Sequence, residues 1–271
     1  MLELLNDYAD FIYDGVADVG IGTSVWLVAL VLPFRPLIAK KEFGWDVIGY
    51  FGSALSGILV VALFEDPFLD WSIGHLADWR DAFDALPWYV SLPIYIVVAD
   101  FGMYWSHRAL HTVLLWDSHA WHHSSQYLYF LSGTRATPVH VFFIIAPTTL
   151  AYLFFPYPTA SLIFTLHVGF QIANEHYIHS NLWVPFPRQL ELVFVTPRAH
   201  FVHHSRKRSY ADTNYGFIFS IWDRMFGTWT DPDTVPSDEP LGLSYEIDYW
   251  RAFLGLGPQR STGKQAQGDA A

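Results

Sequence analysis

Apolar residues in this chain gather in four long blocks separated by polar, turn-rich connections. Three of them, "DVGIGTSVWLVALVLPF" (18–34), "WDVIGYFGSALSGILVVALF" (45–64) and "LPWYVSLPIYIVVADFGMYW" (86–105), have about the length, some 20 residues, that crosses a bilayer as a helix. The fourth, 139–171, is too long for one crossing and is interrupted by Pro147, Pro156 and Pro158. It predicts a helical hairpin that enters and leaves from one side, with "FPYP" as the turn. The pattern as a whole predicts an all-α fold: an integral membrane helical bundle of about four membrane-embedded segments, carrying a cytoplasmic helical cap. Three regions follow: N-terminal membrane helices and loops over 1–86, a main domain over 87–255, and a disordered tail, "GPQRSTGKQAQGDAA", over about 256–271. The acidic start, "MLELLNDYADFIYDG", lacks the positive n-region of a signal peptide and is expected to persist as a short interfacial helix.

Composition strengthens the membrane reading. Of 271 residues, 52% are hydrophobic, 18% aromatic and only 15% charged, against about 25% charged in an average soluble domain. The formal charge of −11, with no dense basic stripe, argues against nucleic acid as a partner. There is no cysteine, so disulfides, iron–sulfur clusters and thiolate-bound metals are excluded. Charge placement orients the bundle. Arg35, Lys40 and Lys41 join the first two blocks, whereas the connection between the second and third holds Arg80 alone among many acids. Fourteen of the fifteen Lys and Arg residues then fall on one side, together with every dense histidine cluster. Under the positive-inside rule that side is cytoplasmic, and the protein is expected to be multi-pass.

The thirteen histidines carry the chemistry. His107 and His111 are four apart and share a helical face. His119, His122 and His123 form "HAWHH", and His200, His203 and His204 repeat that spacing as "HFVHH". His176 and His179 lie between, in "EHYIHSN". Neutral imidazoles suit iron, zinc or copper, and i,i+3 or i,i+4 spacing lets two rings converge on one ion. Ten clustered imidazoles suit a dinuclear centre better than a single ion. Isolated His75, His140 and His167 are read as core residues. Carboxylates are expected to fix imidazole tautomers by hydrogen bonding, with Asp100, Asp117, Glu175 and Asp223 as candidates. The clusters lie just beyond helix ends, whereas a transporter would more often place ligands near the bilayer midplane. That position favours an enzyme acting on a membrane-dissolved substrate. The rival readings are a metal-binding membrane protein without oxygenase activity, such as a transporter, and a structural zinc site.

The motifs "DFGMYWSHRALH", "WDSHAWHHSS", "HSN", "TPRAHFVHH" and "NYGFIFSIWDRMFGT" follow one another as in the fatty acid hydroxylase / sterol desaturase superfamily. The resemblance covers roughly residues 87–230. It implies a membrane-bound oxygenase with two iron ions (zinc possible on isolation), using O2 and two electrons to hydroxylate or desaturate a fatty acyl, sterol or carotenoid-like lipid. It implies metal-ligand roles for His107, His111, His119, His122, His123, His200, His203 and His204, for His179 as the separate histidine, and more weakly for His176. Asn214, Tyr215, Trp222, Asp223 and Gly227 match the trailing motif, which implies support for the second box. Two departures stand out. Members often carry Arg-x-His-Pro-x-Glu where this chain reads "RATPVH", so Thr137 and His140 replace histidine and glutamate; Phe201 stands where arginine is common. Tyr104, Trp105, Phe130 and Phe170 are candidates to line a lipid cavity, or else core packing.

The electrons must come from elsewhere. The chain has no GxGxxG fingerprint, no cysteine and no "HPGG" of a fused cytochrome b5 domain, so no bound flavin, nicotinamide or haem is expected. A separate donor is expected, whether a ferredoxin, a cytochrome b5-like protein or a reductase. Arg206, Lys207 and Arg208 could receive its acidic face or bind lipid headgroups.

Overall fold

A computed structural model describes residues 43–156 and 162–257 together with Ser24. Apart from Ser24, the expected N-terminal helix, the 18–34 block and the basic 35–41 connection lie outside the described residues, as do the tail from 258 onward and the side chains of Phe130 and His167. The described chain is helical, with two isolated β-bridges, Phe194 to Phe219 and Ser205 to Leu241, and no named strand among those residues.

The second apolar block forms α1 (Phe43–Val60), which runs through a π-helical turn at Val61–Glu65 into α2 (Asp66–His75). The turn widens just ahead of Pro67, whose missing N–H leaves the helical ladder one donor short. The continuous helix Phe43–His75 is 33 residues long with a mean hydropathy of 2.1 in its most apolar window. Among the described residues it is the one helix long and apolar enough to cross a membrane. The connection after the second block, expected as a loop, is itself helical: α2 is followed directly by α3 (Ala77–Asp84).

The third block forms α4 (Trp88–Leu110), and the fourth divides into α5 (Pro138–Phe154) and α6 (Leu162–Ile178). The expected "FPYP" turn falls between these helices, and its Tyr157 and Pro158 lie outside the described residues. Helix α4 packs along α5 through Tyr95, Ala99 and Ala151, and Gly102 lets the two approach so closely that a Cβ there would lie 2.8 Å from Pro147. Arg80 of α3 donates to the carbonyls of Leu153 (2.9 Å) and Tyr152 (3.2 Å), satisfying acceptors that the end of α5 leaves open. On α1 the buried residues are Asp46, Gly49 and Ser56. Asp46 accepts from Arg135 Nε at 2.6 Å and from the Tyr129 hydroxyl at 3.0 Å, and Arg135 also donates to Ser124 Oγ at 2.7 Å. The apolar helix is thereby tied to the segment following "HAWHH".

Candidate metal centre

Each histidine cluster is launched by a short element with a visible cause. His107 lies in the last turn of α4 and His111 caps it, one turn later on the same face. "HAWHH" is a single α-turn, Trp116–His119, followed by a 3₁₀ turn, His122–Ser124. "HFVHH" occupies α7 (Pro197–His203) and its C-cap. Thr196 caps that helix by accepting from the Ala199 amide, and Pro197 sits in the first turn, where an N–H would have no helical partner.

The folded chain brings nine of the ten clustered histidines into two buried groups. One comprises His107, His111, His119, His123 and His203; the other His122, His179, His200 and His204. Within each group, one ring nitrogen per residue lies within 4.8 Å of all the others. Both HxxHH boxes divide in the same way. The i,i+4 pair, His119/His123 or His200/His204, enters one group, and the i+3 residue, His122 or His203, enters the other. The motif spacing therefore encodes two adjacent sites.

Tautomers are set by oxygen acceptors. The Nδ1–H of His107 donates to the Tyr215 carbonyl (2.9 Å), that of His203 to Thr213 (2.8 Å) and that of His179 to Glu175 (2.9 Å). His111 Nδ1–H donates to the Asp212 carboxylate at 3.0 Å. A carbonyl oxygen only accepts, so each of these rings, when neutral, keeps its lone pair on Nε2. Nε2 of His111 and of His203 is buried without a hydrogen-bond partner among the described residues. Elsewhere Nε2 atoms crowd together: His119 to His123 at 3.2 Å, His122 to His179 at 3.2 Å, His179 to His200 at 2.9 Å and His200 to His204 at 3.1 Å. Two nitrogens bonded to one ion at about 2.0–2.1 Å each would sit about 3.0–3.4 Å apart. Burial first, then the neighbouring imidazoles, holds His111, His119, His122, His123, His200 and His204 well below the usual histidine range. Neutral, convergent and partly orphaned, these donors fit metal ions of the iron, zinc or copper type.

The sequence model for the fatty acid hydroxylase family matches residues 92–228, half of the chain. The chain belongs to this family. It is 34% identical to alkylglycerol monooxygenase of Xenopus tropicalis over 161 residues, 57% of this chain and 33% of that protein. It is 31% identical to an ornithine lipid hydroxylase of Rhizobium tropici over 192 residues, 70% of this chain and 54% of the other. A Delta(7)-sterol 5(6)-desaturase of Gibberella zeae is 28% identical over 226 residues, 78% of this chain and 58% of that relative. The chain thus spans about a third of the monooxygenase and somewhat over half of the other two. No solved structure matches it.

The remaining expectations for this fatty acid hydroxylase family member fare differently. His176 is buried on α6 but belongs to neither group. Of the carboxylates, Glu175 does meet an imidazole, its Oε1 lying 3.1 Å from His179 Nδ1. Asp100 and Asp223 are placed otherwise than expected: they bind backbone. Asp100 accepts from the amides of Ile218 and Phe219 and from Trp222 Nε1, and Asp223 from the amides of Tyr215 and Gly216 and the Thr228 hydroxyl. They shape the loop whose Tyr215 carbonyl fixes His107. Asp117 packs beside Gly257. Asn214 takes the left-handed conformation (φ 55°), which asparagine tolerates, and its amide bridges Ala199 and Thr230. Tyr104 is fully buried, stacked on Phe226 and bonded to Thr228, so it is core packing, while Trp105 and Phe170 are exposed.

Sequence reasoning missed three residues. Asp212, the partner of His111, stands two residues before the recognised "NYG" and four after Arg208, to which it is paired at 2.7 Å. Gly133 lies so close to His179 that a Cβ there would be 2.7 Å from the ring. His140, read as a core residue, packs against His119 and His122 at ring-centroid distances of 4.5 and 5.0 Å.

Proposed function

We propose that the protein is a membrane-bound, O2-dependent oxidoreductase that hydroxylates or desaturates a C–H bond of a lipid, using two metal ions held by the two histidine groups. The observation that carries this reading is the identical division of both HxxHH boxes between two groups of inward-facing imidazoles. His107, His111, His119, His123 and His203 would hold one ion and His122, His179, His200 and His204 the other. Bound iron would supply O2 reduction and the oxidising power for C–H cleavage. The chain's part is to bury the nine rings and to fix ring orientation through the Tyr215, Thr213 and Glu175 carbonyls and the Asp212 carboxylate. The absence of cysteine leaves no thiolate for a strong oxidant to destroy. The three relatives named above bear an alkylglycerol, an ornithine lipid and a sterol in their names. A lipid drawn from the bilayer is the substrate class they share.

On this reading the chain is multi-pass, with its histidine groups at the cytoplasmic face, and it takes its electrons from a separate carrier with an acidic surface. Arg206 and Lys207 are exposed, and Arg206 lines a cavity of about 440 Å³ together with Gln126, Tyr245 and Glu246. Tyr245 accepts from Trp116 Nε1 at 2.9 Å, and the Trp116 ring lies 5.1 Å from His111 and 5.2 Å from His123. This aromatic pair joins the basic surface to the metal side. The test is elemental analysis on gently purified protein, followed by incubation of its native membranes with ¹⁸O2, an electron donor and lipid mass spectrometry. Two irons per chain, with a lipid product gained by the wild type and lost in His122→Ala, is the expected result. Metal transport into liposomes with no altered lipid would overturn the reading in favour of a transporter.

A further inference from the structure

We propose that His140 is a tenth nitrogen donor of the metal centre, placed on the side that the two histidine groups share. The inference rests on the dimetal reading above. His140 meets His119 nearly edge-on (4.5 Å, 82°) and His122 likewise (5.0 Å, 86°), and those two residues belong to different groups. Like His176 it stands outside both sets of nitrogens that converge within 4.8 Å, but its ring packs on a member of each set.

The ring is 5% exposed, and its Nδ1 has no hydrogen-bond partner among the described residues. A histidine buried for packing alone would be expected to satisfy its ring nitrogen, because an unpaired buried polar atom carries a desolvation cost. Among the nine, His107, His179 and His203 pair Nδ1 with a carbonyl, whereas His119, His122, His123, His200 and His204 leave it without a hydrogen-bond partner among the described residues, as His140 does. His140 faces imidazoles instead. Its placement is also built. Thr137 caps α5 by accepting the His140 amide (3.2 Å), and the same hydroxyl donates to the carbonyl of Ser118 (2.8 Å), the residue before His119. The cap therefore fixes His140 relative to the first histidine of the box. The same Thr-Pro opening launches α7, which carries His200 and His203.

Packing predicts that any flat ring of similar size would serve at 140. A donor role predicts that only a nitrogen will. The experiment compares wild type with His140→Ala, His140→Phe, His176→Ala and His122→Ala, each stripped of metal and reloaded with Co²⁺. Affinity is read by chelator competition and coordination by the visible absorption of bound cobalt. The expected result is about tenfold or greater weakening in both His140 variants, with shifted cobalt bands. Added imidazole should restore both readouts in His140→Ala, where the side chain leaves room, but not in His140→Phe. His176→Ala should match the wild type. Wild-type affinity and spectrum in either His140 variant would overturn the proposal. So would a loss confined to His176→Ala. The melting temperature of the metal-free proteins identifies a variant that fails to fold, and the other His140 variant then decides. His122→Ala separates the two levels of inference: if it too binds cobalt like the wild type, the dimetal reading fails before the role of His140 is reached.

Discussion

The helix Phe43–His75 and the histidine region treat polarity in opposite ways. On α1 the inward face is Asp46, Gly49 and Ser56, while Phe51 and Leu55 are 67% and 59% exposed. Around the histidines, charged and polar groups are buried in bulk and several are answered by specific partners: Asp100 and Asp223 by amides, Asn214 by two carbonyls, His111 Nδ1 by Asp212. A water-soluble helix hides its apolar stripe. Over Phe43–Val60 this one hides Asp46 and Ser56 and offers Leu55 and Leu59 outward, which suits hydrocarbon as solvent. The difference teaches that the two regions are stabilised by different terms. The first depends on its surroundings and on a few polar ties, the second on mutual satisfaction of buried groups.

The strongest tie between them is the Asp46–Arg135 pair, with both side chains fully buried. Removing one partner of such a pair strands the other charge, at a cost of about 3–5 kcal/mol. Asp46→Ala is expected to lower the unfolding free energy by that amount and to weaken metal retention, because Arg135 also holds Ser124, the residue after His123. An unfolding free energy within about 1 kcal/mol of the wild type would mean that the regions are coupled by packing alone, since that is the scale of an ordinary exposed pair.

The next largest effect tests the outward face. Leu55→Arg places a charge near the middle of the apolar stretch, and in lipid this should cost about 2.5–3.5 kcal/mol of insertion free energy. The fraction of chains inserted into microsomes is expected to fall, while Leu55→Ala inserts nearly as well as the wild type. Improved solubility of Leu55→Arg with intact metal binding would show that this face meets water or another protein.

Within the polar region, Asp212→Ala removes the acceptor that orients His111. A partner of this type is typically worth 10- to 100-fold in metal affinity, about 1.4–2.7 kcal/mol. The affinity of the stripped and reloaded protein should drop by that factor. No change would mean that the Tyr215 contacts of His111 suffice to hold its ring.

Much of this was legible in the sequence, and the reason differs by element. The HxxHH spacing is local, so nine convergent histidines could be read from two boxes, one HxxxH pair and the "HSN" histidine. Local spacing cannot reveal which oxygen meets which Nδ1, because those partners lie far along the chain: Tyr215 for His107 and Asp212 for His111. Asp100 is a candidate imidazole partner in the sequence, but its carboxylate is used 118 residues away, on the Ile218 amide. His140 was discounted because a lone histidine on an apolar helix carries no spacing signal at all. The 45–64 part of the helix Phe43–His75 is visible by length and hydropathy. The helical nature of 66–84 was hidden under its many acidic and turn-forming residues.

The smallest predicted effect sits at the joint of the two regions. Thr137 does two jobs through its hydroxyl at the first turn of α5. It accepts from the His140 amide and donates to Ser118, tying the start of an apolar helix to the residue beside His119. Loss of a capping hydroxyl costs typically about 1 kcal/mol, within a range of about 0.5–2. Thr137→Val keeps the shape and deletes both bonds, so it should cost about that much in a denaturant titration, while Thr137→Ser should recover most of it. Pro138 follows at the first helical position and already lacks an N–H, so the helix start itself should survive. The loss should therefore appear as freedom of the His119 segment rather than as a shorter α5. Amide exchange distinguishes these: faster exchange at His119 and Ala120 with α5 unchanged is the expected pattern. Fraying confined to the first turn of α5 would mean that the hydroxyl serves the helix and not the metal side.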